Sequence, residues 1–314
     1  MNKNIRASKR RDLARAISIV EDRGSGAETL LENARRAERV ARVIGITGPP
    51  GVGKSTLVDR LSEYIAQSGE RVAILAVDPS SSFTGGAVLG DRIRMDRIAN
   101  QPEIYLRSLS ARGEIGGLNA AAGDIITLLN AYGFTRIIVE TVGAGQSDIE
   151  IMAVADAVIV ALAPGMGDHV QAAKAGIMEI ADIFAINKFD LSGAEVTMAQ
   201  IELSVHVSHS FTEKPDGWIP PVRAVSALSG DGIETLSSAI DAYLASAENS
   251  GRVAHRRRGR IEVQLRRLLS DRLLHDYLEA HGEALASGIE CISEGKISPT
   301  RFVDQILAQT SNHI

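Results

Sequence analysis

A single cysteine, Cys291, in 314 residues excludes an intrachain disulfide and suits a reducing compartment. Charge of one sign is also lacking. The formal net charge of −5 gives the chain no global pull toward nucleic acid. Two short basic runs, Lys9-Arg10-Arg11 and Arg256-Arg257-Arg258, read as solvated helix faces. No apolar segment of signal-peptide length follows the charged start MNKNIRASKRRD. The most apolar run, 151–166, is interrupted by Asp156 and Pro164 and is too short to span a bilayer. There is no internal repeat or low-complexity tract. The expectation is a soluble cytoplasmic protein with neither a membrane nor a nucleic-acid partner.

What is present is enough apolar residue, 45%, to bury a sizeable core in one or two domains. Residues 1–41 read as two helices separated by Gly24-Ser25-Gly26. Leu13, Ala16, Ile17 and Val20 line one face of the first, and Leu30, Ala34, Ala37 and Ala41 one face of the second. Residues 42–248 alternate short β-branched runs with helical stretches. The expected strands are 43–47, 72–77, 104–107, 137–141, 157–163, 183–187 and 222–226. Several are apolar on both faces, and their separations leave room for crossover helices. That pattern predicts an α/β fold with a mostly parallel, doubly wound sheet. Residues 249–314 return to helix, with one apolar stripe at Leu265, Leu268, Leu269 and Leu273. A second, at Phe302, Val303, Ile306 and Leu307, follows Ser298-Pro299. Such stripes are either core or a surface for self-association.

One loop carries the first chemical signal. Gly48-Pro49-Pro50-Gly51-Val52-Gly53-Lys54-Ser55-Thr56 follows an apolar strand and precedes a helical run. Its glycines let backbone N–H groups curl around phosphates, and the helix N-terminus adds partial positive charge. Lys54 reaches the β- and γ-phosphates, Ser55 is placed to ligate Mg²⁺, and Thr56 to meet the α-phosphate.

The second signal selects the base. Asn187-Lys188-Phe189-Asp190 ends a strand at the carboxyl edge, where ligands of open α/β sheets bind. The Asp190 carboxylate can accept from guanine N1–H and the 2-amino group, whereas adenine leaves it unpaired. Asn187 would tie this loop to the phosphate loop, and the Lys188 stem would cover the base. Ser226-Ala227-Leu228 follows the next strand, and the Ala227 N–H is placed for guanine O6. GTP is favoured over ATP.

Three carboxylates suit metal and switch positions. Asp78 ends the strand after the first helix of the sheet region, a strand expected to run parallel to the first. Asp91 closes the Gly-rich stretch Thr84–Arg92. Glu140 begins Glu140-Thr141-Val142-Gly143, which stands where other GTPases have Asp-x-x-Gly. Mg²⁺ keeps several waters, and such acidic groups orient them. Which of Asp78 and Asp91 is the direct ligand stays open. Ala144 follows Gly143 where a water-positioning glutamine stands in Ras-type proteins, and only Arg92 and Arg94 are candidate arginine fingers. Hydrolysis without a partner should be slow, with Lys54, Asp91, Glu140 and Gly143 as its catalytic set.

The strings GITGPPGVGKSTLVDRL, VAILAVDPSSSFTGGAVLGDRIRM, RGEIGGLNA, VETVGAGQSD, PGMGDHVQAAKAGIMEIAD and NKFD closely resemble the MeaB/ArgK-type GTPases. These are G-protein chaperones of methylmalonyl-CoA mutase and related adenosylcobalamin-dependent mutases. The likeness runs from about Leu13 to Arg260. It implies a P-loop domain of the signal-recognition/metallochaperone class over 42–248, N-terminal helices over 1–41 and a dimerisation arm over 249–314. It further implies that GTP hydrolysis gates cobalamin loading and protection of an acyl-CoA mutase. Ser55, Asp78, Asp91 and Glu140 fall at Mg²⁺ and catalytic positions, and Asp168 and Lys174 at a third switch that faces the mutase. Phe189 departs from the family's usual alanine. No cobalamin-binding Asp-x-His-x-x-Gly string is present, so the mutase is a separate chain.

Two rival readings stand beside this one. A nickel metallochaperone of the same class would need clustered His and Cys ligands, and His206-x-x-His209 is the only close pair. An ATPase or kinase serving amino-acid transport is the other, and Asp190 argues against it through base choice.

Overall fold

The computed structural model describes residues 3–37, 40–78, 101–110, 117–141, 151–165, 177–211 and 217–310. The chain divides into two compact units, Met1–Arg260 and Ile261–Ile314.

Seven strands form the first unit's sheet: β1 (Arg42–Thr47), β2 (Val72–Asp78), β3 (Ile104–Ser110), β4 (Arg136–Thr141), β5 (Ala157–Leu162), β6 (Ile183–Ile186) and β7 (Val222–Ala224). Their order is β3-β2-β4-β1-β5-β6-β7, and every pairing is parallel. Parallel neighbours need crossover connections, and the helices that supply them cover both faces of the sheet. β4, β5 and β6 are buried along their whole length, as their apolar runs require.

The period-2 alternation of the strands sorts their side chains into two layers. On one face, Ile44 and Ile46 of β1, Ile159 of β5 and Ile183 of β6 join Leu57 and Leu61 of α3 (Lys54–Gln67). Tyr243 and Leu244, of the helix Ile233–Asn249, complete that layer. On the other face, Val43 of β1 and Leu75 of β2 meet Leu13 and Ile17 of α1 (Lys3–Glu21). Ile125 and Leu129 of α4 (Gly117–Ala131) pack with them. Further along the same face, Val158 and Val160 of β5 and Phe184 of β6 pack with Ile201 and Val205 of the helix Ala194–Phe211.

The apolar stripe expected on α1 is buried throughout, whereas α2 (Ala27–Ala34) is shorter than its pattern suggests. Ala41 is buried not on that helix but immediately before β1, where the chain has left the helix to enter the sheet. In chain order the remaining helices are α5 (Ile177–Ile180), α6 (Ala194–Phe211), α7 (Ile233–Asn249), α8 (Arg252–Ser293) and α9 (Pro299–Thr310).

Within the basic runs, Arg11 and Arg258 are exposed, but Arg10, Arg256 and Arg257 are engaged by the fold. Arg10 donates to the carbonyl oxygens of Gln101 and Ile104 at 2.7 and 2.5 Å. At the amino edge of the sheet, Asp156 and Asp182 are fully buried at the starts of β5 and β6. Arg256 donates twice to Asp182, at 2.7 and 2.9 Å, and Arg257 donates to Asp156 at 2.7 and 3.1 Å. Arg260 also pairs with Asp156. Burying a carboxylate is tolerable only with such partners.

In the second unit, residues 261–293 of α8 and all of α9 are helical, with a break in helical geometry at His281. Pro299 sits at the first helical position of α9, and the Ser298 hydroxyl accepts from the Arg301 N–H as its cap. Leu265, Leu268, Leu269 and Leu273 are exposed within this unit. Among the described residues no helix is long and apolar enough to cross a membrane.

Candidate functional site

The phosphate loop leaves β1 in the middle of the sheet, where later connections run to either side. Gly48 has φ +142°, and a Cβ there would fall 2.1 Å from the Ala161 carbonyl oxygen of β5. Gly53 has φ +88° and caps α3 with no side-chain hydrogen bond. The N-terminus of α3, with its first-turn N–H groups, points out of the loop, the arrangement in which helices meet anions. The buried Lys54 ammonium donates to the carbonyls of Gly48 and Pro49 at 2.6 and 2.9 Å, holding it inside the curl of the loop. Val52 is fully buried beneath, while Pro50, Gly51 and Thr56 are exposed.

Next to this loop, Ser55 Oγ donates to the buried Glu140 carboxylate of β4 in a short hydrogen bond. The ends of β1 and β4 are joined by a further bond of 2.9 Å from Thr141 Oγ1 to Thr47 Oγ1. A hydroxyl and a carboxylate side by side form a hard oxygen donor set of the kind Mg²⁺ takes. Asp78 ends β2, with its backbone in register with Ser110 of β3. Asp91, Gly143, Asp168 and Lys174 lie outside the described residues.

Residues 187–190 and 226–228 converge on the same edge. Asn187 follows β6 and is almost wholly buried. Its Nδ2 donates to Val52 O at 2.8 Å and its Oδ1 accepts from the Ala227 N–H at 3.0 Å, so one side chain pins both neighbouring loops. Lys188 takes a left-handed φ of +56°, and its Nζ donates to Gly51 O at 2.7 Å. Ser226 Oγ donates to Asp190 Oδ1 at 2.6 Å, fixing an exposed carboxylate. The Phe189 ring packs onto the apolar cluster of β5, β6 and α6. Within α6, His206 Nδ1 bonds Glu202 O at 2.8 Å.

One residue was not anticipated. Arg60, on α3, donates from Nε to Ala227 O at 3.2 Å and from Nη2 to Leu228 O at 3.1 Å. Its Nη1 pairs with Glu63 at 3.3 Å. An arginine in mid-helix gives no sequence signal that it grips a loop more than 160 residues later in the chain.

This arrangement places the glycine loop 48–56, the Ser55–Glu140 oxygen pair and the Asp190 carboxylate along one sheet edge. A chain from Pyrococcus horikoshii is 42% identical over 298 residues, which cover 95% of this chain and 93% of that one. GTPase ArgK of Escherichia coli is 34% identical over 280 residues, covering 87% and 84%. A crystal structure of a LAO/AO transport system kinase superposes with a TM-score of 0.70 at 25% identity, covering 99% of both chains. The model of the MeaB family, described as the methylmalonyl Co-A mutase-associated GTPase MeaB, matches residues 13–282. The chain belongs to the MeaB family of GTPases.

Proposed function

We propose that the chain binds GTP with Mg²⁺, hydrolyses it to GDP and phosphate, and uses that cycle to gate cobalamin loading and protection of an acyl-CoA mutase carried on a separate chain. The observation that carries the reading is the convergence of Asn187, which touches the phosphate loop through Val52 O and the Ser226–Leu228 loop through the Ala227 N–H. One buried amide thus couples recognition of the base to the place where the γ-phosphate is cut.

In this reading, water attacks the γ-phosphorus and the bond to the β,γ-bridging oxygen breaks, leaving GDP. The Lys54 ammonium offsets charge on the phosphate oxygens, and the first-turn N–H groups of α3 bind them. Ser55 and Glu140 would hold Mg²⁺ and its waters, with Asp78 and Asp91 as further candidates. Bound there, the ion would neutralise charge developing between the β- and γ-phosphates. Gly143 would supply its N–H to the γ-phosphate, and Asp168 and Lys174 would meet the mutase. With Ala144 in place of a glutamine, the isolated chain turns over slowly and the partner supplies what is missing. The exposed leucines of α8 in the second unit serve a second copy of the chain. The cycle runs in the cytoplasm.

The test is co-purification with adenosylcobalamin-dependent acyl-CoA mutases in GTP and GDP, followed by GTPase assay with and without each mutase. Nucleotide-dependent capture and a raised turnover by one of them are expected. Preference for ATP, or a fast basal rate indifferent to every mutase, would overturn the reading. The nickel and amino-acid-transport alternatives are decided by a nickel titration and by the GTP-to-ATP affinity ratio.

A further inference from the structure

The Ala227 N–H, the donor that the sequence suggests for guanine O6, is engaged at 3.0 Å by Asn187 Oδ1. The next amide in the loop belongs to Leu228, and among the described residues it donates to nothing. That N–H shares a rigid trans peptide plane with the Ala227 carbonyl, and the two point in opposite directions. Whatever holds the carbonyl therefore aims the amide.

Arg60 holds it. Its guanidinium presents Nε–H and Nη2–H as a fixed fork, and these donate to the successive carbonyls of Ala227 and Leu228. Two peptide planes are thereby fixed from one side chain. The fork is itself oriented, because Glu63 pairs with Nη1 and in turn accepts from Gln101 Nε2 at 3.1 Å. Arg60 stands on α3, the helix that begins at Lys54, so the loop is tied to the same rigid element that carries the phosphate cradle. Leu228 itself is almost fully exposed, so its side chain does not anchor the loop.

We propose that Arg60 is a positioning residue for guanine specificity: by gripping the carbonyls of Ala227 and Leu228 it presets the Leu228 N–H as the donor to guanine O6. The inference rests on the guanine reading of the site. Asp190 reads the N1 and 2-amino edge, and Arg60 acts through the loop on the O6 edge. A preset donor discriminates by distance and direction, so it rejects an acceptor that is larger and weaker than oxygen.

The experiment measures binding of GDP, ADP, IDP and 6-thio-GDP to the full chain and to Arg60→Ala and Arg60→Lys. Wild type is expected to prefer GDP over 6-thio-GDP by about tenfold, the worth of one good hydrogen bond. Arg60→Ala should weaken GDP and IDP equally, by about five- to tenfold, and 6-thio-GDP by less than about twofold, so that the sulfur discrimination collapses. Arg60→Lys keeps the charge and the stem but not the fork, and should lie between the two. It also serves if the alanine variant does not fold. Equal weakening of GDP and 6-thio-GDP would reduce Arg60 to a structural role and overturn the proposal, as would wild-type indifference to the sulfur. Indifference of wild type to GDP against ADP is a separate result, and it would remove the guanine reading itself.

Discussion

At the scale of single residues, the phosphate loop separates glycines needed for space from glycines needed for backbone freedom alone. Gly48 is caught on both counts, with φ +142° and the Ala161 carbonyl where a Cβ would sit. Gly51 also has a left-handed φ, of +79°, yet nothing lies within 4 Å of its missing side chain. Gly48→Ala should therefore push the loop off β5 and cost about 2–4 kcal/mol, with GDP affinity down by roughly a hundredfold. Gly51→Ala should cost only about 1 kcal/mol through strain in φ. Melting temperature and GDP titration of the two variants check the order, and a harsher effect at Gly51 would refute the steric account. The motif was legible at this scale because it is local: Gly48 to Thr56 are neighbours in sequence as well as in space. Arg60 was not legible, because its partners lie at Ala227 and Leu228.

At the scale of elements, the buried strands were legible as apolar runs, and the misread boundaries have physical causes. β3 continues to Ser110 through Arg107 and Ser108, beyond its apolar start. Among the described residues it lies at the sheet edge and pairs only with β2, so backbone hydrogen bonds carry it through the half-buried Arg107 and Ser108 to the buried Leu109. Helix pairing in the second unit depends on a contact that no periodicity reveals. A Cβ on Gly288 of α8 would fall 1.9 Å from the ring of Phe302 of α9, so glycine lets the ring lie against the helix backbone. Gly288→Ala should displace that ring and weaken the docking of α9 on α8 by about 1–3 kcal/mol. Hydrogen exchange in peptides covering 299–310 should quicken in the variant. Unchanged protection would mean that the ring relocates without cost.

At the scale of the whole first unit, the sheet has a chemical polarity: the loops 48–53, 187–190 and 226–228 at the carboxyl ends of its strands, a buried ion-pair network at the amino ends. Asp156 accepts from the Val43 N–H at 3.0 Å as well as from Arg257 and Arg260, joining β1, β5 and the start of α8. The sequence shows Arg256-Arg257-Arg258 as a charge run and gives no hint of its partners Asp182 and Asp156, which lie 74 and 101 residues upstream. Burial alone would push the Asp156 carboxyl up, but Arg257, Arg260 and the Val43 N–H outweigh it and hold it below the usual carboxylate range. A group with a lowered native pKa stabilises the fold above its unfolded value, about 3.9, and loses that contribution as pH falls through the native value. Asp156→Asn removes the charge at every pH and leaves two partly solvated arginines without their anion. Its cost should be about 2–4 kcal/mol at neutral pH. Denaturant titrations of wild type and variant between about pH 7 and pH 3 should show a constant gap down to roughly pH 5. Below that the gap should narrow, because protonated aspartic acid and asparagine carry the same charge. A gap of the same size at both ends of the range would mean that shape and hydrogen bonding, rather than the carboxylate's charge, hold residues 252–260 to the sheet.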